Sequence, residues 1–115
     1  MQYLLLIYGN EAAMQGMPPD KLAQMVSAFT AYTEALRRDG VYVGSNRLRP
    51  VESARSVRVS GSKPNVVNGP FAETREQLGG YYLIEVPDLA VAERYAAQCP
   101  GAAVGTIEVR PVWQM

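Results

Sequence analysis

The sequence predicts a single α+β domain in which two helices cover one face of an antiparallel sheet. Two runs, residues 3–8 and 81–86, are rich in aromatic and aliphatic side chains, as buried strands are. Each run is followed by a helical pattern and then by a further strand. The order β-α-β therefore occurs twice along the chain. With a β-hairpin inserted between the two units, this order predicts a ferredoxin-like split β-α-β fold. The 115 residues suit one domain that spans residues 1–115.

The first unit begins with the strand at residues 3–8, which is apolar on both faces and therefore central in its sheet. Residues 10–17 are predicted to form a loop. Pro18 and Pro19 then open a long helix, because proline fits a first helical turn, and Gly40 follows as a C-terminal cap. One face of this helix is apolar at helical spacing and is predicted to be core. That face consists of Leu22, Met25, Val26, Phe29, Tyr32 and Leu36.

The rest of the chain contains the inserted hairpin and the second unit. The hairpin is predicted as an excursion from the sheet, because two short alternating runs flank a glycine- and proline-containing turn. Gly79-Gly80 is predicted to interrupt the chain before the second apolar strand, and Asp88 is a good N-cap for the last helix. The predicted elements are strands at residues 41–48, 55–60, 65–67, 81–86 and 106–113 and a helix at residues 89–98.

The composition excludes several kinds of function. Eleven basic and eleven acidic residues give a formal net charge of zero, which argues against direct nucleic-acid binding. The chain has no histidine and one cysteine, so it can form no intrachain disulfide and no Ser-His-Asp or Cys-His nucleophile. We expect no metal and no cofactor, and we interpret Cys99 as a small buried hydrophobe.

The chain start is apolar but lacks the basic region and the cleavage site of a signal peptide. No stretch approaches the roughly 20 apolar residues of a membrane-spanning helix. These two observations lead us to expect a cytoplasmic protein without a membrane partner.

The two-sided apolar character of residues 3–8 and 81–86 predicts a protein partner. Two helices cover only one face of the predicted sheet, and the chain has no further element to cover the other face. Another copy of the chain is the simplest cover, so we expect a homodimer. The cavity between sheet and loops in such an assembly is the expected ligand site.

The most distinctive stretch, residues 68–82, joins the hairpin to the second apolar strand. It opens with the turn signal Asn68-Gly69-Pro70 and reads NGPFAETREQLGGYY. This stretch resembles the signature of the DGPF-type branch of the YCII-like family, with Asn68 in place of the first Asp. Looser agreement at both ends extends the resemblance over nearly the whole chain.

The resemblance implies a dimeric α+β barrel, in which two sheets pack face to face. DGPF-type domains are similar to proteins that accompany extracytoplasmic-function sigma factors. This similarity favours a small-ligand-binding or regulatory module associated with sigma-factor systems. The alternative is a small lyase or isomerase that uses acid–base chemistry on an aromatic or lactone substrate, since YCII-like proteins also resemble such enzymes.

The candidate site residues come from the signature and from the two apolar strands. Glu73 is the candidate catalytic residue, because it lies inside the signature directly after an apolar Pro-Phe pair; alternatively, it caps the turn by accepting backbone N–H bonds. Asn68 can only hydrogen-bond, and its alternative role is an Asx-type turn. The predicted ligand-binding residues are Asn68, Phe71, Tyr8, Tyr81 and Tyr82. Other groups considered for the cavity are Tyr3, Glu76, Glu85 and Glu108.

Overall fold

The computed structural model describes residues 1–114, which form an α+β domain as predicted. The strands are β1 (Gln2–Gly9), β2 (Tyr42–Arg47), β3 (Arg55–Ser60), β4 (Lys63–Asn68), β5 (Gln77–Glu85) and β6 (Thr106–Pro111), and the α-helices are α1 (Glu11–Gln15), α2 (Pro19–Arg38) and α3 (Leu89–Gln98). Short 3₁₀ turns, Val51–Ser53 and Pro100–Ala103, follow β2 and α3. Four strands form one antiparallel sheet in the order β2-β5-β1-β6, and β3 and β4 form a separate hairpin. The predicted hairpin excursion is thereby confirmed.

The core lies between the sheet and the helices α2 and α3. Leu5, Leu36 and Ile84 are fully buried there, one each from β1, α2 and β5. Two tyrosine rings from α2 and β5, Tyr32 and Tyr82, meet edge to face with their centroids 5.2 Å apart. The Tyr32 hydroxyl also donates to the Tyr95 carbonyl oxygen on α3 at 2.7 Å. This bond ties the two helices together over the middle of the sheet.

The end of α2 is closed by Gly40, as the sequence predicts. Gly40 has φ +74°, a conformation that glycine adopts without a side-chain clash. Its amide donates to the Arg37 carbonyl at 3.0 Å, and the Val41 amide donates to the Leu36 carbonyl at 3.1 Å. This pair of bonds is a Schellman motif, and it turns the chain directly into β2.

The predicted loop at residues 10–17 is wrong in part, because it contains the helix α1. The Asn10 side chain accepts a hydrogen bond from the Ala13 amide at 3.0 Å and caps this helix. The Glu11 amide donates to Gln77 Oε1 at 3.0 Å, which fixes the helix against the start of β5. The helix has only five residues, too few for the hydrophobic periodicity that reveals longer helices in a sequence.

The predicted interruption at Gly79-Gly80 is also wrong, because β5 begins at Gln77 and both glycines lie inside it. A β-carbon on Gly80 would lie 2.8 Å from the Asn46 carbonyl oxygen of the neighbouring strand. The pairing of β1 with β5 also shifts between Ile7 and Tyr8, opposite these glycines. Glycine here permits a close approach of strands at an irregular point of the sheet rather than ending a strand.

Within residues 1–114, no helix lies on the second face of the sheet. Side chains alternate along a strand, so Leu4, Leu6 and Leu83 point away from the helices, and Leu4 and Leu83 are directly paired. We call this surface the open face. The described chain measures 47 × 44 × 18 Å, and its short axis has room for one helix layer and one sheet layer. No helix among residues 1–114 is long and apolar enough to cross a membrane.

Candidate functional site

A cavity of about 490 Å³ lies between the first half of α2, the helix α1 and the adjacent ends of the central strands. Its walls are mainly apolar side chains, among them Met14, Leu22, Met25, Val26 and Phe29. The cavity is therefore a concave apolar space, the usual form of a small-molecule site.

The cavity exists because the apolar face of α2 is only half covered. Tyr32 and Leu36 in the second half are buried, whereas Leu22 and Val26 in the first half are 36% and 50% exposed. Beneath the first half, the sheet presents the small residues Gly80 and Ser45, which leave space that larger side chains would fill. The prediction that the whole stripe is core is thus wrong for its first two turns.

Hydroxyl groups line the inner end of the cavity. The Thr33 Oγ1 donates to the Phe29 carbonyl at 2.9 Å, and it lies 2.6 Å from the Tyr82 hydroxyl. Because the threonine hydroxyl has one proton, Tyr82 must donate to Thr33. The Ser45 hydroxyl is similarly 2.7 Å from the Tyr42 hydroxyl. Both Tyr82 and Ser45 keep unused hydrogen-bonding capacity next to the cavity.

One wall of the cavity contains a carboxylate that accepts a backbone hydrogen bond. The two Glu11 carboxylate oxygens lie 3.1 and 3.3 Å from the Val51 amide nitrogen, which follows β2. The helix α1 is thereby anchored to β5 through its own amide and to the segment after β2 through this side chain. These contacts keep the wall that carries Met14 in place.

A family model for the YCII-related domain matches residues 1–115. The chain belongs to the YCII-related family. An uncharacterised protein of Rhizobium meliloti (strain 1021) is 32% identical to it over 114 residues, covering 97% of this chain and 92% of the relative. The family-level resemblance drawn from the signature is thus confirmed. The DGPF-type assignment within the YCII-related family stays a prediction.

Three of the predicted binding residues, Tyr8, Tyr81 and Tyr82, line the cavity of this YCII-related domain. These tyrosines come from the two central strands, β1 and β5. The sequence placed them at a cavity between sheet and loops of an assembly, whereas this cavity lies beneath α2 within one chain. Because side chains alternate along β5, Tyr82 points toward the helices, whereas Tyr81 points to the same side as Leu83. There the Tyr81 hydroxyl accepts a hydrogen bond from the Asn46 amide nitrogen at 2.8 Å. Their function in binding stays a prediction.

The two other predicted binding residues, Asn68 and Phe71, and the candidate catalytic residue Glu73 lie outside the cavity, on the hairpin and the loop after it. Asn68 ends β4 opposite Arg55, and Phe71 is exposed with the Arg58 guanidinium 4.8 Å above its ring. Glu73 is exposed in the loop before β5. The structure therefore does not bring the proposed catalytic carboxylate together with the tyrosines.

The remaining acidic candidates are dispersed. Glu76 accepts a hydrogen bond from the Thr106 hydroxyl at 2.7 Å, which ties the end of the signature to β6. Glu85 lies 3.6 Å from the N-terminal ammonium, and Glu108 lies 3.7 Å from Arg110. Tyr3 is buried in the core. Within residues 1–114, no three His, Cys, Asp or Glu side chains are grouped as metal ligands would be.

The hydroxyl groups of Thr33 and Ser45 in the cavity were not predicted from the sequence. Thr33 lies on α2 four residues after Phe29, beside the apolar stripe, and Ser45 lies in a strand of low hydrophobicity. A threonine next to an aromatic residue on the inner face of a helix was the available signal for Thr33. No comparable signal marks Ser45, because its partner Tyr42 is brought near by the register shift in β2.

The cavity tyrosine is a neutral phenol at neutral pH. The ordinary tyrosine pKa of 10.0 already keeps Tyr82 protonated there, and burial raises its pKa further. It can donate and accept hydrogen bonds there, but it cannot serve as a base. Burial likewise raises the pKa of Tyr32 and of Cys99, and the hydrogen bond to Asp39 raises the pKa of Tyr95.

These pKa shifts predict that the fold loses stability in alkali. The native state favours the protonated form of each group, so this contribution is complete at neutral pH and falls once the pH exceeds the ordinary pKa, which is 9.0 for Cys99 and 10.0 for the tyrosines. In a tyrosinate absorbance titration, we expect a fraction of the seven tyrosines to ionise only as the protein unfolds. The Tyr82→Phe variant should lose less stability in alkali. Ionisation of all seven tyrosines in one step with the fold intact would contradict the assignment.

Proposed function

We propose that this YCII-related protein binds a small, mostly apolar organic molecule that carries a hydroxyl or a similar polar group. The observation that supports this most directly is the cavity beneath α2. Its volume of about 490 Å³ lies within the range of about 300–1,000 Å³ that small-molecule sites occupy. Its apolar walls suit the body of such a ligand, since burial of apolar surface provides the binding free energy.

The polar end of the ligand is proposed to meet Tyr82 and Ser45. Tyr82 gives its own proton to Thr33, so its oxygen can accept a hydrogen bond from a ligand hydroxyl. Ser45, whose oxygen is shared with Tyr42, lies on the neighbouring strand at the same level of the sheet, because Ser45 and Tyr82 are paired. Two polar groups side by side in an apolar cavity give a ligand one defined orientation.

We further propose that the protein is a homodimer of ferredoxin-like domains that pack through their open faces as a dimeric α+β barrel. The strand order β2-β5-β1-β6, with α2 and α3 in the two crossovers, supports this description of the domain. Leu4, Leu6 and Leu83 on the open face support the packing, because contiguous apolar surface of this kind marks an interaction site.

Binding is favoured over catalysis as the main activity. Glu73 lies apart from the cavity, and Tyr82 is a neutral phenol, so neither supplies a base to a molecule held there. In this proposal the protein is a ligand-binding or regulatory module. The association with sigma-factor systems stays a prediction of the family resemblance, with the bound molecule as its signal.

The ligand site can be tested with a panel of phenols and aromatic or alicyclic alcohols, screened by ligand-observed NMR and followed by calorimetry. We expect at least one compound to bind the wild-type protein and to lose at least about tenfold in affinity in Val26→Trp, because the indole fills the cavity. Tenfold corresponds to about 1.4 kcal/mol, a small part of what a displaced apolar ligand gains by burial.

The matched control is Val43→Trp, since Val43 is 45% exposed, close to the 50% of Val26, and does not line the cavity. Its affinity should equal that of the wild type. Glu73→Gln should also bind normally, and a loss of affinity or of turnover in Glu73→Gln would move the site to the signature loop. Equal losses in the two tryptophan variants would sink the cavity proposal.

A further inference from the structure

The β3–β4 hairpin has one apolar face and one polar face. Val57 pairs directly with Val66, and Val59 pairs with Pro64, so these four side chains share one face. The three valines of this face are each more than half exposed. The opposite face carries the pairs Ser56–Val67, Arg58–Asn65 and Ser60–Lys63. We call the first surface the valine face.

The rest of the chain contacts the polar face of the hairpin, which has less apolar surface to bury than the valine face. The Phe71 ring, from the loop after β4, packs under the Arg58 guanidinium, which belongs to the polar face. At the base, the Ser56 hydroxyl donates to the Gly69 carbonyl at 2.9 Å, again from the polar face. The valine face receives no comparable cover from the described chain, although apolar burial is what a hairpin needs for stability.

An isolated two-stranded hairpin is marginally stable in water, and it becomes stable when its apolar face packs on something else. Neither hairpin strand pairs with the four-stranded sheet, and the described chain is extended, with a radius of gyration of 16.1 Å. A compact chain of this length would have a radius of gyration of about 13 Å. The hairpin is therefore built as a projecting arm whose valine face is left for another surface.

We propose that the valine face docks against a second copy of this chain. This inference rests on the homodimer proposed above and adds a second contact region to it. The area of the interface favours this occupant. From strand spacing and rise, the open face covers about 450 Å² per copy, or about 900 Å² in a face-to-face pair.

That area is below the roughly 1,200–2,000 Å² that stable interfaces bury. Each arm offers about 200 Å² of valine face and covers an equal area of its partner, so two arms add about 800 Å². With the arms, the interface reaches the standard range. Charge agrees with this occupant as well, because the valine face carries no charged residue beyond Arg55 at its base and the chain has no net charge.

The test uses two adjacent residues on β4 that point in opposite directions. Val66 on the valine face is 58% exposed, and Val67 on the polar face is 53% exposed. In sedimentation equilibrium of the full chain, Val66→Asp should raise the dimer dissociation constant at least tenfold. Val67→Asp should change it less than twofold, although it puts the same charge on the same strand.

A measurement on the wild-type protein accompanies the variants, in case either aspartate variant fails to fold. Hydrogen exchange of the β3 and β4 amides should slow as the protein concentration rises through the dissociation constant. Exchange in the hairpin that is independent of concentration would overturn the inference, as would equal effects of Val66→Asp and Val67→Asp. A wild-type protein that sediments as a monomer of 12.6 kDa would contradict the homodimer proposal as well. If Leu83→Lys dissociates the dimer and Val66→Asp does not, the homodimer proposal stands and only the docking of the valine face is contradicted.

Discussion

Replacing Leu36 by alanine should lower the free energy of unfolding by about 3 kcal/mol, within the range of 2–5 kcal/mol for buried leucines. Leu36 has no exposed surface, and it packs with Ile84 and Leu5 where α2 crosses the sheet. Truncation removes its buried methyl groups and leaves a cavity that the surrounding strands cannot close. Urea unfolding followed by circular dichroism measures this loss.

The matched control is on the same helix. Leu22→Ala removes the same atoms at a position that is 36% exposed and lines the cavity. We expect it to cost less than about 1 kcal/mol, because these atoms are not tightly enclosed in the native state. Equal losses for the two variants would mean that both halves of α2 are packed alike, which would contradict an open cavity beneath the first half.

The contrast between Leu36 and Leu22 also shows how far a sequence pattern reaches. Helical spacing predicts which face of α2 points inward, and the structure confirms that direction for Tyr32 and Leu36. The pattern says nothing about what lies beneath. Whether an inward side chain is enclosed depends on the size of its neighbours, here Gly80 and Ser45, which are distant in sequence.

The sequence predicted part of the lining of the cavity but not its position. Tyr8, Tyr81 and Tyr82 were predicted to lie at a cavity because they belong to the two most apolar runs, yet that cavity was expected between sheet and loops of an assembly rather than beneath α2. Thr33 was not predicted because the role of a hydroxyl group depends on its hydrogen-bond partner. The partner of Thr33 is Tyr82, which is 49 residues away in the sequence. The signature, in contrast, suggested site residues that lie away from the cavity. Its most distinctive residues, from Asn68 to Glu73, lie on the hairpin and in an exposed loop.

The sequence alone does not show whether a glycine ends an element or lies inside one. Gly40 and Gly79-Gly80 look alike as chain breakers, yet only Gly40 ends an element. At Gly40 the requirement is local, a positive φ after a helix. At Gly80 it is the carbonyl oxygen of Asn46 on another strand, which no local pattern reveals.

Replacing Leu83 by lysine should convert the proposed dimer to a monomer, with a dissociation constant raised at least about 100-fold. Leu83 is at the centre of the open face, since β5 is an inner strand and Leu83 pairs with Leu4 on one side and Gly44 on the other. An ammonium group at the centre of a dehydrated interface loses its hydration without a partner. Central interface residues often cost 2 kcal/mol or more when they are changed, and each 1.4 kcal/mol is tenfold in affinity.

Sedimentation equilibrium measures the change, and Leu89→Lys is the control. Leu89 begins α3, is exposed, and lies with the helix layer rather than on the open face. It introduces the same charge, so a general effect of charge on association would appear in both variants. Circular dichroism should show both variants folded, because lysine can extend its amine into water from the uncovered face of a monomer. A folded Leu83→Lys variant that remains a dimer would show that the open face is not the interface.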